Sequence, residues 1–161
     1  MDTHRIAPFF SRLLPAAGNR LALLQFNVSL DEEHIFLRVA LERGEHIDLG
    51  ERVHHYCLVT LARQRLQDAH RGGDPSGQGW IAVDALAKML GLDTAHLNIH
   101  IYRARRHLAS ALPPSSDSEA VFERRRGEVR MGPLPFRIVR GSYLEGEFTP
   151  PAAMPADGMQ G

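Results

Sequence analysis

The stretch LDTAHLNIHIYRARRHLASAL, Leu92 to Leu112, decides how the chain is read. Asp93 or Thr94 can cap a helix here, because a short oxygen-bearing side chain accepts from the N–H groups that a first turn leaves unpaired. Beyond the cap, Leu97, Ile101, Ala104 and Leu108 recur at helical spacing and form a side that packs on other helices. The opposite side carries Ala95, Ile99, Tyr102 and Arg106, flanked by Asn98 and Arg103. Such a face suits groove reading: asparagine can bond adenine, arginine can bond guanine or phosphate, and a tyrosine hydroxyl can reach phosphate. Arg105 lies nearer the border with the apolar side, where its stem can snorkel, and His107 can reach backbone. The positive end of the helix, near Asp93 and Thr94, could also receive a phosphate. An arginine-rich helix also has a plain structural use, complementing the macrodipole and solvating a surface.

Upstream, VDALAKML places Val83, Leu86, Ala87 and Leu90 on one stripe, and Gly91 stops that short helix. Two helices broken by a Gly-containing turn make a helix-turn-helix pattern. Before it, GERVHHYCLVTLARQRLQDAHRGG predicts a long central helix, with Val53, Cys57 or Leu58, Leu61, Ala62, Leu66 and Ala69 at helical spacing and a glycine pair at its end. GGDPSGQG is a loop, and the short apolar WIA that follows places Trp80 as a core plug. Nearer the N-terminus, LLQFNVSL and HIFLRVALE alternate with period two around the acidic link Asp31, Glu32 and Glu33, which predicts a β-hairpin with one buried face. EHIDL adds a third short strand.

Downstream, AVFERRRGEVRMG and PFRIVRG form two strands about a glycine turn, or a longer hairpin. Arg124, Arg125 and Arg126 sit beside the turn at Gly127, with Arg130 just beyond it. A projecting basic loop beside a basic helix gives a two-point grip: helix in the major groove, loop on backbone or minor groove. The order is strands, long helix, short strand, helix, turn, helix, basic hairpin. It predicts an α+β chain: a winged helix-turn-helix with N-terminal antiparallel strands, three helices and a C-terminal β-hairpin wing. Residues 1–19 form an N-terminal extension, 20–140 the domain, and 141–161, rich in Pro, Gly and Ala, a disordered tail.

Length and charge agree with one domain. The chain has 161 residues and a formal net charge of zero. The charge is unevenly placed: residues 96–140 carry nine arginines against Asp117, Glu119, Glu123 and Glu128, while residues 1–95 and 141–161 are net negative. A basic segment within a neutral chain points to an anionic partner of that segment alone. Cys57 is the single cysteine, so no disulfide framework or cysteine-based zinc site exists; in its apolar run it reads as a small buried side chain. No stretch approaches the ~20 apolar residues of a membrane span, and no leader pattern opens the chain. These features predict a soluble, cytoplasmic protein with no membrane partner.

Leu97–Leu108, LNIHIYRARRHL, resembles the recognition helix of the OmpR/PhoB winged-helix family, whose pattern is V-D-V-H-I-x-R-L-R-x-K-L. His100, Ile101, Arg103, Arg105 and Leu108 match outright; Leu97 and Ile99 replace valines, Asn98 replaces Asp, Ala104 replaces Leu and His107 replaces Lys. The layout of residues 20–140 is similar to the family's as well. The resemblance implies a bacterial DNA-binding transcription regulator in which Asn98, Ile99, Tyr102, Arg103 and Arg105 lie where DNA contacts occur. The chain departs from the family at the wing, where ERRRGEVRMGPLPFRI replaces T-x-R-G-x-G-Y, and no receiver domain precedes the module. LGLDTAHLNIHIYRARRHLA also resembles region 4 of sigma factors, most closely at Arg103-Ala104-Arg105-Arg106. That region ends near its recognition helix and has neither a leading sheet nor a following hairpin.

An enzyme is not expected. His96 and His100 are spaced to share a metal, yet no acid on that helix completes a site and H-E-x-x-H is absent. His54 and His55 begin the long helix, one exposed and one packed, in a structural role. RGGDPSGQG lacks the Lys-Ser/Thr of a phosphate loop, no G-x-S-x-G occurs, and no cofactor or metal motif is present.

The sequence therefore predicts a non-catalytic protein that binds duplex DNA through Asn98, Ile99, Tyr102, Arg103, Arg105 and Arg106 on the helix 93–110, and through Arg124, Arg125 and Arg126 in a wing at 121–130. A homodimer or protein partner would supply further affinity. The alternative is a winged-helix adaptor that docks a protein in a signalling or secretion-associated assembly and binds no DNA. Zero net charge, the altered wing and the acidic link Asp31–Glu33 favour it. A continuous positive face joining Arg103, Arg106 and the wing separates the two from arginines neutralised by Glu123 and Glu128.

Overall fold

The computed structural model describes residues 17–151. It is a mixed α+β chain whose described residues form eight strands and three α-helices, with short 3-10 turns between some of them. Strands β1 (Leu21–Val28), β2 (Ile35–Leu41) and β3 (His46–Glu51) come first, followed by helix α1 (His55–His70). Then follow β4 (Ile81–Ala82), α2 (Val83–Met89), α3 (Thr94–Ala111), β5 (Phe122–Arg125), β6 (Glu128–Met131), β7 (Phe136–Arg140) and β8 (Tyr143–Phe148).

The period-two pattern resolves as an antiparallel pair. Leu24, Phe26 and Val28 of β1 face Val39, Leu37 and Ile35 of β2, and all six are buried. The link between them is a built turn. Asp31 accepts from the Glu33 N–H, which holds Glu32 at φ 62. Glu32, one of the three acids of this link, pairs with Arg63 at 2.9 Å and Arg140 at 3.6 Å. The acidic link therefore offers a basic partner less charge than its three carboxylates suggest.

Two sheets result. One has the order β3-β2-β1-β7-β8, and in it β7 runs parallel to β1, pairing Phe26 with Ile138. The other has the order β4-β6-β5. AVFERRRGEVRMG is thus a hairpin by itself, while β7 leaves it for the first sheet. The disordered tail expected over residues 141–161 is overturned at its start, and residues 152–161 lie outside the described residues. Tyr143–Phe148 is an edge strand paired antiparallel with β7, and its Phe148 ring stacks on Phe136 at 5.1 Å. Six residues without a strong hydrophobic period gain a ladder and one buried ring, which suffices to order them. Of the N-terminal extension, residues 1–16 lie outside the described residues, and Ala17–Asn19 is a single 3-10 turn.

Helix α1 packs between the two sheets and against α3, burying Cys57, Leu58, Leu61, Ala62 and Leu66. Val53, expected to begin its apolar stripe, precedes the helix and is exposed. The Gly72–Gly73 pair ends it: Gly72 N–H donates to Ala69 O and Gly73 N–H to Asp68 O. Gly91, at φ 68, closes α2, and the Leu92 N–H donates back to Ala87 O at 2.8 Å. Asp93 then caps α3, accepting from the His96 N–H at 2.7 Å. Helices α2 and α3 are thus joined by residues 90–93 alone. The core is one contiguous apolar cluster spanning both sheets and all three helices.

Candidate nucleic-acid interface

The two sides of α3 divide as the spacing requires. Leu97, Ile101, Ala104 and Leu108 are buried, whereas Asn98, Ile99, Tyr102, Arg103, Arg105 and Arg106 are exposed. Tyr102 stands out by 60 % and Ile99 by 43 %. The Arg106 guanidinium donates to the Tyr102 hydroxyl at 3.3 Å, one turn away. Arg105 covers the Phe122 ring at 5.5 Å, so its stem lies on apolar surface while its charge stays outside. The helix N-terminus is less open to an anion than its dipole suggests. The Asp93 carboxylate already occupies it, held below the usual carboxylate range first by the His96 N–H and then by the His96 ring.

The hairpin meets this helix directly. Arg124 donates from Nη2 to Asn98 Oδ1 at 3.2 Å, and Asn98, Ile101, Tyr102, Arg105 and Arg124 line a shared groove. Arg124, Arg125 and Arg126 are all exposed. Arg125 alone of the three is neutralised, by Glu128 at 2.6 Å. Among the described residues Arg103, Arg105, Arg106, Arg124 and Arg126 form no ion pair.

Glu123, the other carboxylate of the hairpin, is directed at arginines the basic face does not use. It accepts from Arg130 Nε at 2.6 Å and lies 4.0 Å from Arg65. Arg130, which the sequence places with the basic turn, is turned inward and buried. Its Nη1 donates to the carbonyls of Pro75, Ser76 and Gln78 at 2.9, 3.1 and 2.9 Å. Arg65 is buried within α1, donates to Met131 O at 2.8 Å and covers the Phe148 ring. Burial, with Arg130 nearby, lowers its guanidinium to about 10.

Trp80 is not a core plug. It is partly exposed, and its ring carries Arg125 at 4.2 Å and Arg130 at 4.5 Å, while its Nε1–H donates to Ser76 O. It acts as a cation–π platform that fixes the base of the hairpin. Neither Arg65, Arg130 nor Trp80 announces this in the sequence, because their partners are backbone carbonyls and ring faces from distant segments.

The histidines gather differently from their spacing. His96 turns to Asp93. His107, expected to reach backbone, instead places Nδ1 3.2 Å from His54 Nε2, and its ring stacks over His55 at 5.9 Å. His55 is buried and His54 partly so. Burial pulls both down to about 4, with His55 and His107 adding to it for His54; burial and then Arg52 lower His107. Cys57 is fully buried, and burial raises its thiol to about 12, so it has no nucleophilic role. No described helix is long and apolar enough to cross a membrane. No protein-family model matches the chain, and no curated protein or solved structure shows a significant match to it.

Proposed function

We propose that this chain binds duplex DNA as a winged helix-turn-helix protein of OmpR-like layout, with α3 in the major groove and the β5–β6 hairpin as a wing. The observation that carries this reading is the joined face of α3 and the hairpin. Five exposed arginines free of carboxylates among the described residues flank an asparagine and a tyrosine, and Arg124 ties the two elements together. Asn98 and Tyr102, with Arg103, approach base edges. Arg105, Arg106, Arg124 and Arg126 hold phosphates, and Arg125 joins them when DNA competes with Glu128. The layout supports it as well: α2 and α3 separated by a four-residue turn, then a hairpin that shares a sheet with β4. The role is that of a non-enzymatic transcription regulator acting in the cytoplasm. Because one module grips few phosphates, a second copy or a protein partner completes the affinity.

A salt titration of binding to mixed-sequence duplex DNA tests the proposal, comparing wild type with Arg105→Ala/Arg106→Ala. The expected result is steep weakening with salt, and a log–log slope about 1.8 shallower in the double variant, two phosphate contacts at ~0.9 each. Absence of binding near ~50 mM salt overturns it.

One observation favours a protein-docking adaptor instead. Ile99 and Tyr102 expose apolar surface on α3, and Val53 and Met89 do so beside a groove also lined by Leu90, Leu92 and His100. On that reading the titration shows no DNA binding, and Ile99→Asp abolishes capture of the partner.

A further inference from the structure

We propose that His54, His55 and His107 form a binding site for one divalent transition-metal ion of the zinc class, clamping the last turns of α3 to the start of α1. The three residues offer ring nitrogens that all lie within 4.8 Å of one another. Two come from adjacent positions and the third from 52 residues further on, brought in by the packing of α1 on α3.

Two independent features point to a ligand. His55 is only 1 % exposed, and its Nδ1 lies 3.1 Å from the carbonyl oxygen of Ile35. A carbonyl can only accept, so the proton is on Nδ1 and Nε2 is a bare lone pair. That Nε2 is buried and has no hydrogen-bond partner. A metal-bound histidine characteristically spends its other N–H in this way, on a backbone carbonyl that fixes tautomer and ring orientation. Second, His54 Nε2 and His107 Nδ1 are 3.2 Å apart. Two nitrogens on one tetrahedral ion at about 2.0–2.1 Å stand ~3.3–3.4 Å apart, so this pair already has ligand spacing. His55 closes the set by a small adjustment of the rings.

The donor set defines the ion. Three neutral imidazoles without a carboxylate or thiolate suit zinc, cobalt, nickel or copper and give magnesium and calcium nothing they prefer. The fourth position is left for water. Arg52 lowers the basicity of all three rings, with Glu51 acting on His55 in the opposite sense, and the Arg52 guanidinium is partly engaged by the Glu51 carbonyl. The ion therefore binds through the imidazoles and not through the local field. Its effect is mechanical: α3 is fixed by its C-terminal half, leaving Asn98 to Arg106 uncovered. The inference is independent of what that face binds.

The test uses the full chain stripped with a chelator and titrated with Co²⁺ as a visible probe, then with Zn²⁺ as competitor. The expected result is one Co²⁺ per chain with ligand-field absorption of a nitrogen-rich site, displacement by Zn²⁺, and a thermal midpoint raised by Zn²⁺ but not by Mg²⁺. His54→Ala and His107→Ala each weaken Co²⁺ binding at least tenfold, while His96→Ala, on the same helix as His107, leaves it unchanged. A wild-type titration with neither absorption nor a raised midpoint overturns the proposal, as does binding that survives His54→Ala. Should His107→Ala fail to fold, the wild-type titration and the less buried His54 variant decide alone.

Discussion

Arg124 on the hairpin donates to Asn98 on α3 across 3.2 Å, and through this contact two elements 26 residues apart present one surface. Both residues were read from the sequence as separate contacts. The bond between them means that the asparagine's carbonyl oxygen is committed to the hairpin, leaving its amide N–H groups to a partner. A double-mutant cycle with Asn98→Ala and Arg124→Ala should show non-additive losses of DNA affinity, with a coupling of about 0.5–1 kcal/mol. Arg124→Ala alone should flatten the salt slope by ~0.9. Losses that add within ~0.3 kcal/mol would separate the two elements functionally.

The hairpin's stability rests on an arginine that never reaches its basic face. Arg130→Met keeps most of the stem and removes the guanidinium, leaving the Gln78 carbonyl and Glu123 without their donor and the Pro75 and Ser76 carbonyls with only Arg65 and Trp80. Urea unfolding should show a loss of about 2–4 kcal/mol, since breaking one side of a largely buried ionic network strands the other. Arg126→Met, at the exposed turn, should stay within ~0.5 kcal/mol. Equal effects at the two positions would contradict the inward placement of Arg130.

Strand β8 also carries a measurable prediction. Phe148 is buried against Phe136, and Glu145 on the same strand accepts from Arg63 at 2.8 and 2.9 Å. Phe148→Ala should cost about 3 kcal/mol, as aromatic truncations in cores do. Removing residues 141–161 should cost more, because Arg63 loses Glu145 and keeps only Glu32, and β7 loses its neighbouring strand as well. A chain ending at residue 140 with wild-type stability would restore the tail as first read.

Metal-free protein should lose stability on mild acidification. His54 and His55 are held near 4 in the fold, first by burial, with His107 and Arg52 acting on both and His100 on His54. In the unfolded chain both return to ~6.5. The unfolded state then binds more protons between these values, so the stability is fully present above ~6.5 and is lost as pH falls toward 4. His34 works in the opposite direction, raised by Glu51, but it is fully solvated and weighs little. In a chelator-containing buffer the urea midpoint should fall from pH 7 to pH 5, and fall less in His54→Gln. A flat midpoint over that interval contradicts the burial of these rings.

Much of the local structure was legible in the residues. Ile35, Leu37, Val39 and Leu41 alternate because one face of β2 is buried, and Leu97, Ile101, Ala104 and Leu108 recur because one side of α3 is. Asp93 and Gly91 marked the ends of their helices by chemistry acting within four residues. These are short-range signals, and a periodic pattern reports them faithfully.

A period states that a face is covered and says nothing about what covers it. PFRIVR satisfies the pattern of a strand equally well as an extended wing and as a parallel neighbour of β1; only the collapse of segments more than 100 residues apart selected the second. Arginine carries the same charge at positions 65, 106, 126 and 130. Whether its guanidinium meets water or a set of backbone carbonyls depends on loops such as Pro75–Gln78 that the local sequence does not contain. The same holds for His54, His55 and His107, which are isolated by spacing and adjacent in space. What the sequence by itself determined was most of the elements, the strand Tyr143–Phe148 excepted, and the faces they bury, because those follow from neighbours along the chain. The tertiary structure alone decided which polar groups meet, because those contacts join residues that chain order keeps apart.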